Sequence, residues 1–168
     1  LADTSEKKWV DFYTQVKTDY TALIFWADDC GHCKKEMPKL IKLYNELKEK
    51  NISIEFVAVG TSLENKGWKK FIKENNLPWI NISDFPDANE NAVKYLNELR
   101  VTDLQSLNFR KTYDIFSTPQ IYLLDKDKVI RAKKLDAKNL AKILEHKLSI
   151  DLDYEEPEEE EKKKEDTH

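Results

Sequence analysis

The positions of apolar residues predict alternating strands and helices in the first half of the chain. Residues 20–26 form a largely apolar run with β-branched and aromatic side chains, typical of a strand buried on both faces. Over residues 34–49 the apolar side chains fall on one stripe, which predicts a helix that Pro38 should kink early. Residues 52–59 predict a second buried strand, ended by Gly60. This order favours a right-handed parallel unit.

Weaker patterns predict the remaining elements. Apolar residues spaced three and four apart indicate further helices around 5–17, 68–72, 92–99, 104–113 and 140–148. Residues 79–82 predict a short strand, while 121–125 and 129–133 predict a hairpin. We therefore expect an α/β domain with a central mixed sheet and helices on both faces.

The composition is that of one ordinary domain with a charged tail. At 168 residues, 40% of them apolar, the chain is long enough to bury one core. Residues 151–168 contain ten acidic residues and three lysines, which leaves 25 basic against 22 acidic residues, or +3, over 1–150. So small an excess argues against a nucleic acid partner. We place the domain at 1–150 and expect the acidic low-complexity tail, 151–168, to be disordered.

No part of the sequence has the pattern of a membrane span or a signal peptide. No run approaches the roughly 18 consecutive apolar residues that cross a bilayer, and residues 1–8 lack an apolar core. We expect a soluble chain, whose start at Leu1 rather than Met fits a mature or trimmed product.

The two cysteines, Cys30 and Cys33, lie where the first predicted strand meets a helix. A single close pair is too little for the disulfide framework of a small secreted domain. A zinc site would need four ligands, and His32, His146 and His168 are the only histidines. We therefore interpret the pair as redox-active and expect no metal.

The position of Cys30 favours a reactive thiolate. At a helix N-terminus, free backbone N–H groups and the helix dipole stabilise an anion. Cys33 follows one turn later on the same face, close enough to form a disulfide. Between them, Gly31 and His32 are expected to tune the redox potential, because positive charge on the histidine would stabilise the thiolate.

Three segments carry a family pattern: Leu-Ile-Phe-Trp-Ala-Asp-Asp-Cys-Gly-His-Cys-Lys-Lys-Glu-Met-Pro (23–38), Phe-Val-Ala-Val-Gly (56–60) and Tyr-Asp-Ile-Phe-Ser-Thr-Pro-Gln-Ile-Tyr-Leu-Leu-Asp (113–125). In this order they resemble the thioredoxin superfamily, and within it the TlpA/ResA-like thiol–disulfide oxidoreductases of bacterial cell envelopes. The resemblance implies a thioredoxin-like fold over about residues 20–148.

The resemblance also implies roles for the site residues. Cys30 would be the exposed nucleophile and Cys33 the buried resolving thiol. Thr118 and Pro119 would form a cis-proline turn that faces the cysteines and whose backbone pairs with the substrate. Trp26 is expected to join them in lining the substrate groove.

Several features depart from the family pattern. Asp28 and Asp29 place negative charge before the first cysteine and oppose its thiolate. Thioredoxins keep a buried acidic residue where this chain has Ile24, so proton transfer to the second cysteine is assigned to Glu36 or water. Segment 85–112 exceeds what a minimal thioredoxin needs and resembles the helical insertions of TlpA-like proteins from Bacteroides-type bacteria.

These features favour a cell-envelope reductase that exchanges disulfides with protein substrates through its Cys-Gly-His-Cys dithiol. We expect a monomer in the bacterial envelope or periplasm, without a bound cofactor, that takes electrons from a partner protein. A removed N-terminal segment could have anchored it. Two alternatives remain open: a disulfide oxidase or isomerase of the same fold, and a non-enzymatic peptide-binding module. An exposed, low-pKa Cys30 favours an enzyme over the module.

Overall fold

The computed structural model describes residues 1–5, 8–62, 64–84, 91–100, 102–155 and 157. The strands are β1 (Ala2–Asp3), β2 (Tyr20–Trp26), β3 (Ile54–Gly60), β4 (Ile80–Ser83), β5 (Gln120–Asp125) and β6 (Ile130–Leu135). The helices are α1 (Phe12–Gln15), α2 (Gly31–Glu49), α3 (Asn65–Glu74), the π-helical α4 (Lys94–Glu98), α5 (Leu104–Leu107), α6 (Phe109–Thr112) and α7 (Ala137–Leu148). The helix expected to kink at Pro38 runs through that residue as one element.

One mixed sheet, with the strand order β1-β4-β3-β2-β5-β6, organises the fold. β2, β3 and β4 are parallel and are connected by α2 and α3. β5 pairs antiparallel with β2, β6 with β5, and β1 with β4. The predicted mixed sheet is confirmed, and it places the carboxyl end of β2, where α2 begins, between two neighbouring strands.

Both faces of the sheet are covered, because side chains of a buried strand alternate between them. From β2, Ala22, Ile24 and Trp26 pack into a core that also contains apolar residues of α2, α3 and α7. Leu23 and Phe25 pack into a second core, with α1, α6 and the segment before α1. The predicted strand with two buried faces and the helices on both sides are confirmed.

The opening helix predicted over residues 5–17 is wrong. The helical part is limited to α1, which begins after Asp11, whose carboxylate accepts a hydrogen bond from the Tyr13 N–H. Ahead of it, β1 extends the sheet along β4, and Trp9 forms a bridge back to Ala2. Phe12 and Val16 are buried as the apolar spacing suggests, whereas Tyr13 is 52% exposed, so the spacing marks two buried positions and not a continuous helix.

The predicted insertion contains helices, but they are shorter than the sequence pattern suggests. Three short helices, α4, α5 and α6, replace the two stretches at 92–99 and 104–113, and residues 85–90 and 101 lie outside the described part. Leu107 and Phe109 are buried, so the insertion contributes to the core. Arg110 ties α6 to the end of β4 through a 2.7 Å ion pair with the buried Asp84.

The packed part of the chain continues past the predicted domain boundary at residue 150. Leu152 is only 4% exposed and belongs to the core on the α2 side of the sheet. The Tyr154 hydroxyl donates to the Lys39 carbonyl of α2 at 3.3 Å, and Lys42 Nζ donates to the Glu155 carbonyl at 2.6 Å. Residue 156 and residues 158–168 of the predicted tail lie outside the described residues.

Candidate redox site

The fold presents Cys30 at the N-terminus of α2, directly after the turn that leaves β2. Cys30 is the N-cap residue, and its Sγ accepts a hydrogen bond from the Cys33 N–H at 3.2 Å. Free N–H groups at a helix start need such an acceptor, and a thiolate meets that need better than a neutral thiol. The predicted placement of the thiol at a helix N-terminus is confirmed.

The two thiols differ in their surroundings although three positions separate them. Both are free cysteines, Cys30 half-buried and Cys33 completely buried beneath it in the core of the α2 face. An incoming disulfide therefore reaches Cys30 from solvent, whereas Cys33 is accessible only through Cys30. This is the exposed and buried pairing that the sequence predicts.

The same asymmetry sets the acidity of the pair. Partial burial raises the pKa of Cys30, but hydrogen bonds with the side chains of Cys33 and Thr118 and with the backbone N–H groups at the start of α2 outweigh it and bring the pKa below that of a free thiol. Burial, followed by the hydrogen bond to Cys30, raises the pKa of Cys33 to about 12. When the pair loses its first proton, the negative charge therefore resides on the accessible sulfur.

The turn before β5 lies against the exposed cysteine. The Thr118–Pro119 peptide bond is cis, as predicted, and the Cys30 thiol donates to the Thr118 carbonyl at 3.3 Å. Thr118 and Pro119 are half-buried, so part of this turn faces solvent beside Cys30. The predicted contact between the proline turn and the cysteines is confirmed.

Hydrogen bonds from the loop after β3 hold the turn that carries Cys30. Thr61 donates to the Trp26 carbonyl through its N–H at 2.8 Å and through its hydroxyl at 3.1 Å. The Ser62 hydroxyl hydrogen-bonds to the Asp28 carboxylate and accepts from the Asp28 N–H at 3.3 Å. The turn between β2 and α2 is thus fixed to the neighbouring strand on one side, while Thr118 contacts it on the other.

Asp28 has a defined location that its sequence position did not indicate. Its carboxylate lies against Gly67 in the first turn of α3, where an added Cβ would stand 2.0 Å from Asp28 Oδ2. A helix start favours a negative charge, so α3 accommodates this carboxylate. The negative charge of Asp28, predicted to oppose the Cys30 thiolate, is thus partly compensated by its hydrogen bond with Ser62 and by the N-terminus of α3. A glycine near the start of a predicted helix is the only sequence signal for this contact.

The residues between the cysteines are both exposed. Gly31 has open space around it, since an added Cβ would have no neighbour within 4 Å. His32 projects from the first turn of α2 and is accessible to a bound partner. The predicted tuning role of these two residues stays a prediction.

Two other assignments change with the structure. Trp26 was predicted to line the groove, but it is completely buried and packs against Phe71 of α3. It is a core residue beneath the site because its side chain points to the α2 face of the sheet. Glu36 accepts a 2.6 Å hydrogen bond from the Ala137 N–H at the start of α7. Its proton-transfer role remains a prediction, while its observed contact joins two helices.

Neither a metal cluster nor a membrane span is found among the described residues. No group of three or more His, Cys, Asp or Glu side chains there is placed to hold a metal ion. In the same part of the chain, no helix is both long and apolar enough to cross a bilayer.

These features define a thioredoxin fold with a dithiol site. The parallel β2-α2-β3 unit has one accessible thiol at the helix start and a buried thiol one turn later, and a cis-proline turn lies opposite. The chain belongs to the thioredoxin-like family, whose model matches residues 17–130. The predicted resemblance to ResA-like proteins is confirmed by sequence similarity. The thiol-disulfide oxidoreductase ResA of Bacillus thuringiensis is 31% identical over 113 residues, 67% of this chain and 53% of the relative. The chain thus spans about half the length of the curated relatives it matches.

Solved structures of thiol-disulfide proteins are also similar to this chain. A domain of a possible thiol-disulfide isomerase from Cytophaga hutchinsonii is 32% identical, with a TM-score of 0.67, over 88% of this chain and 86% of that one. The thioredoxin domain of a thiol-disulfide oxidoreductase from Bacteroides vulgatus is 27% identical, with a TM-score of 0.58, over 78% and 80% of the two chains. Both similarities extend over most of the chain.

Proposed function

We propose that this protein is a thiol–disulfide oxidoreductase that exchanges disulfides with protein substrates through Cys30 and Cys33. The observation that carries the proposal is the environment of Cys30: an accessible sulfur at a helix N-terminus, hydrogen-bonded by the Cys33 N–H, with a lowered pKa. Names of relatives support it, since ResA is a thiol-disulfide oxidoreductase and the Cytophaga domain a possible thiol-disulfide isomerase.

In the first step the Cys30 thiolate attacks one sulfur of a substrate disulfide. A bond forms between Cys30 Sγ and that sulfur, the substrate S–S bond breaks, and the other substrate sulfur leaves as a thiolate that takes a proton from solvent. The start of α2 stabilises the attacking anion, and the half-buried Thr118 carbonyl adjoins the reacting sulfur. The product is a mixed disulfide between substrate and protein.

In the second step Cys33 resolves the mixed disulfide. Its thiolate attacks Cys30 Sγ, the Cys30–Cys33 disulfide forms, and the second substrate sulfur is released as a thiol after taking up a proton. The substrate gains two electrons and the protein loses two. Deprotonation of Cys33 is easier at this stage, because the charge on Cys30 that contributes to its pKa of about 12 is gone. The proton leaves to water, with Glu36 as the predicted alternative.

The direction of the reaction and its location are proposed on the family resemblance. We place the protein in the bacterial cell envelope as a reductase without a bound cofactor, reduced again by an electron-donor protein. An oxidase or isomerase role is the second candidate. It is favoured by the name of the Cytophaga relative and by the thiolate-stabilising site, because stabilising the reduced form makes a dithiol more oxidising.

The equilibrium reduction potential of the Cys30–Cys33 couple tests these roles. A value toward the reducing end of the roughly −270 to −120 mV range, with mixed disulfides trapped by Cys33→Ala, supports the reductase. A value toward the oxidising end favours the oxidase or isomerase. A potential below about −300 mV with nothing trapped would leave only the peptide-binding module. The double variant Cys30→Ala/Cys33→Ala is the matched control and should trap nothing.

A further inference from the structure

Phe116 stands out on the surface beside the redox site. Its side chain is 88% exposed, the highest value among the large apolar side chains in the described part of the chain. It precedes Thr118, whose carbonyl lies 3.3 Å from Cys30 Sγ, by two residues. Two residues span at most about 7 Å, so the Phe116 backbone is within that distance of the turn that touches the nucleophile.

The loop that carries Phe116 is held at several points. The Tyr122 hydroxyl donates to the Tyr113 carbonyl, and the Ile115 N–H donates to the Arg110 carbonyl at 2.7 Å. Tyr113 and Ile115 pack against the core on the α6 side of the sheet. Phe116 is thus directed to solvent by an anchored backbone rather than by a loose chain end.

Position separates Phe116 from the other exposed apolar residues. Singly exposed apolar side chains are ordinary on protein surfaces, and Val129 at 48% and Leu104 at 72% are examples here. Phe116 differs because its backbone lies within about 7 Å of Thr118, whose carbonyl contacts Cys30, and a polypeptide joined to Cys30 by a mixed disulfide occupies the surface around that turn. Rigid aromatic side chains with few rotatable bonds are effective anchors for a bound chain.

We propose that Phe116 is a substrate-contacting, specificity-determining residue that selects polypeptide disulfides with an apolar side chain next to the reactive cysteine. This inference rests on the proposed thiol–disulfide exchange and adds a substrate class to it. A bound apolar side chain covers the ring, which removes apolar surface of both partners from water. Small disulfides without such a side chain do not use Phe116.

The test compares three disulfides as oxidants of the reduced protein. Two are synthetic peptide disulfides identical except for Leu or Ser beside the cysteine, and the third is hydroxyethyl disulfide. For Phe116→Ala we expect a loss of about tenfold in kcat/KM for the Leu peptide, carried mainly by KM. That loss corresponds to about 1.4 kcal/mol. The Ser peptide and hydroxyethyl disulfide should react as with the unchanged protein, and Phe116→Leu should restore most of the lost rate.

Val129→Ala is the matched control. Val129 is also exposed, and it lies beyond the opposite end of β5, a strand of six residues and so about 20 Å from the proline turn. Its removal should leave all three rates unchanged. Equal rates of the Phe116→Ala variant and the unchanged protein with the Leu peptide would overturn the proposal and leave the proposed function intact. A uniform loss with all three disulfides would also overturn it, because Phe116 would then act through Cys30. Failure of the unchanged protein with every disulfide would refute the proposed function itself.

Discussion

Two cysteines of identical chemistry acquire opposite acidity from their positions in one helical turn. Cys30 receives the hydrogen bonds that a helix start offers, which lowers its pKa, while burial raises that of Cys33. Exchange requires one thiolate that attacks the substrate and a second thiol that stays protonated until the mixed disulfide has formed. The difference in pKa therefore makes Cys30 react first and Cys33 second. A residue-level asymmetry therefore determines which sulfur meets the substrate.

Selective alkylation as a function of pH checks that asymmetry. In the reduced protein, the iodoacetamide reaction of Cys30 should be half-maximal at a lower pH than that of a free cysteine, because a lowered pKa populates the thiolate earlier. Cys33, buried and with a pKa of about 12, should remain unmodified through neutral pH. Mass spectrometry of the peptide carrying both cysteines measures each site, with Cys33→Ala and Cys30→Ala as controls. Equal modification of the two thiols would contradict this assignment.

Two glycines show how neighbouring elements come close at the site. An added Cβ at Gly60, the last residue of β3, would stand 2.5 Å from Nε1 of Trp68, a fully buried residue of α3. At Gly67 the neighbour is instead the Asp28 carboxylate. The first glycine allows a helix to pack on the sheet, and the second allows the loop before Cys30 to dock on that helix. Both positions need a small residue for reasons that involve another element.

A double-mutant cycle tests the docking of Asp28 on α3. Gly→Ala within a helix usually stabilises by about 0.5–1 kcal/mol. We expect Gly67→Ala to lack this gain, because its Cβ displaces the Asp28 carboxylate from its hydrogen bond with Ser62. In the Asp28→Ala background the same substitution should recover the gain. Urea unfolding of the four proteins gives the coupling energy. Identical effects of Gly67→Ala in the two backgrounds would rule out the docking.

The whole molecule depends on segments at both ends of the chain as well as on the central sheet. β1 extends the sheet along β4, and the residues after α7 return to cover α2. The buried Leu152 makes the second contact part of the main core. The folded unit is therefore larger than the part that carries the family pattern.

Truncation tests how much the segment after α7 contributes to the free energy of unfolding. Ending the chain after Ser149 removes Leu152 and Tyr154 and should lower the free energy of unfolding by at least about 2 kcal/mol, the value of a buried leucine. A chain ending after Pro157 keeps these contacts and is the reference for the comparison. Chemical denaturation of the two truncated chains measures the difference. Equal stabilities of the two truncated chains would show that the segment after α7 contributes nothing.

The sequence alone determined the β2-α2-β3 unit, the hairpin of β5 and β6, the last helix and the location of Cys30. These follow from local causes: hydrophobic periodicity, turn residues and the position of a cysteine pair between a buried strand and a helix. The cis bond before Pro119 and its contact with Cys30 were predictable through family resemblance, since a proline in the sequence does not reveal its isomer.

Tertiary structure alone decided where several of the same residues went. The apolar spacing around Trp9 and Phe12 fits one long helix, yet only Phe12–Gln15 is helical, while Trp9 bridges to Ala2 of β1, which pairs with the edge of β4. Trp26 became core rather than groove because strand alternation points it under α2, and Asp28 docked on α3 because Gly67 leaves room. Hydrophobic periodicity indicates which side chains are buried. Which element each side chain packs against depends on segments distant in the chain, and these come together only in the assembled fold.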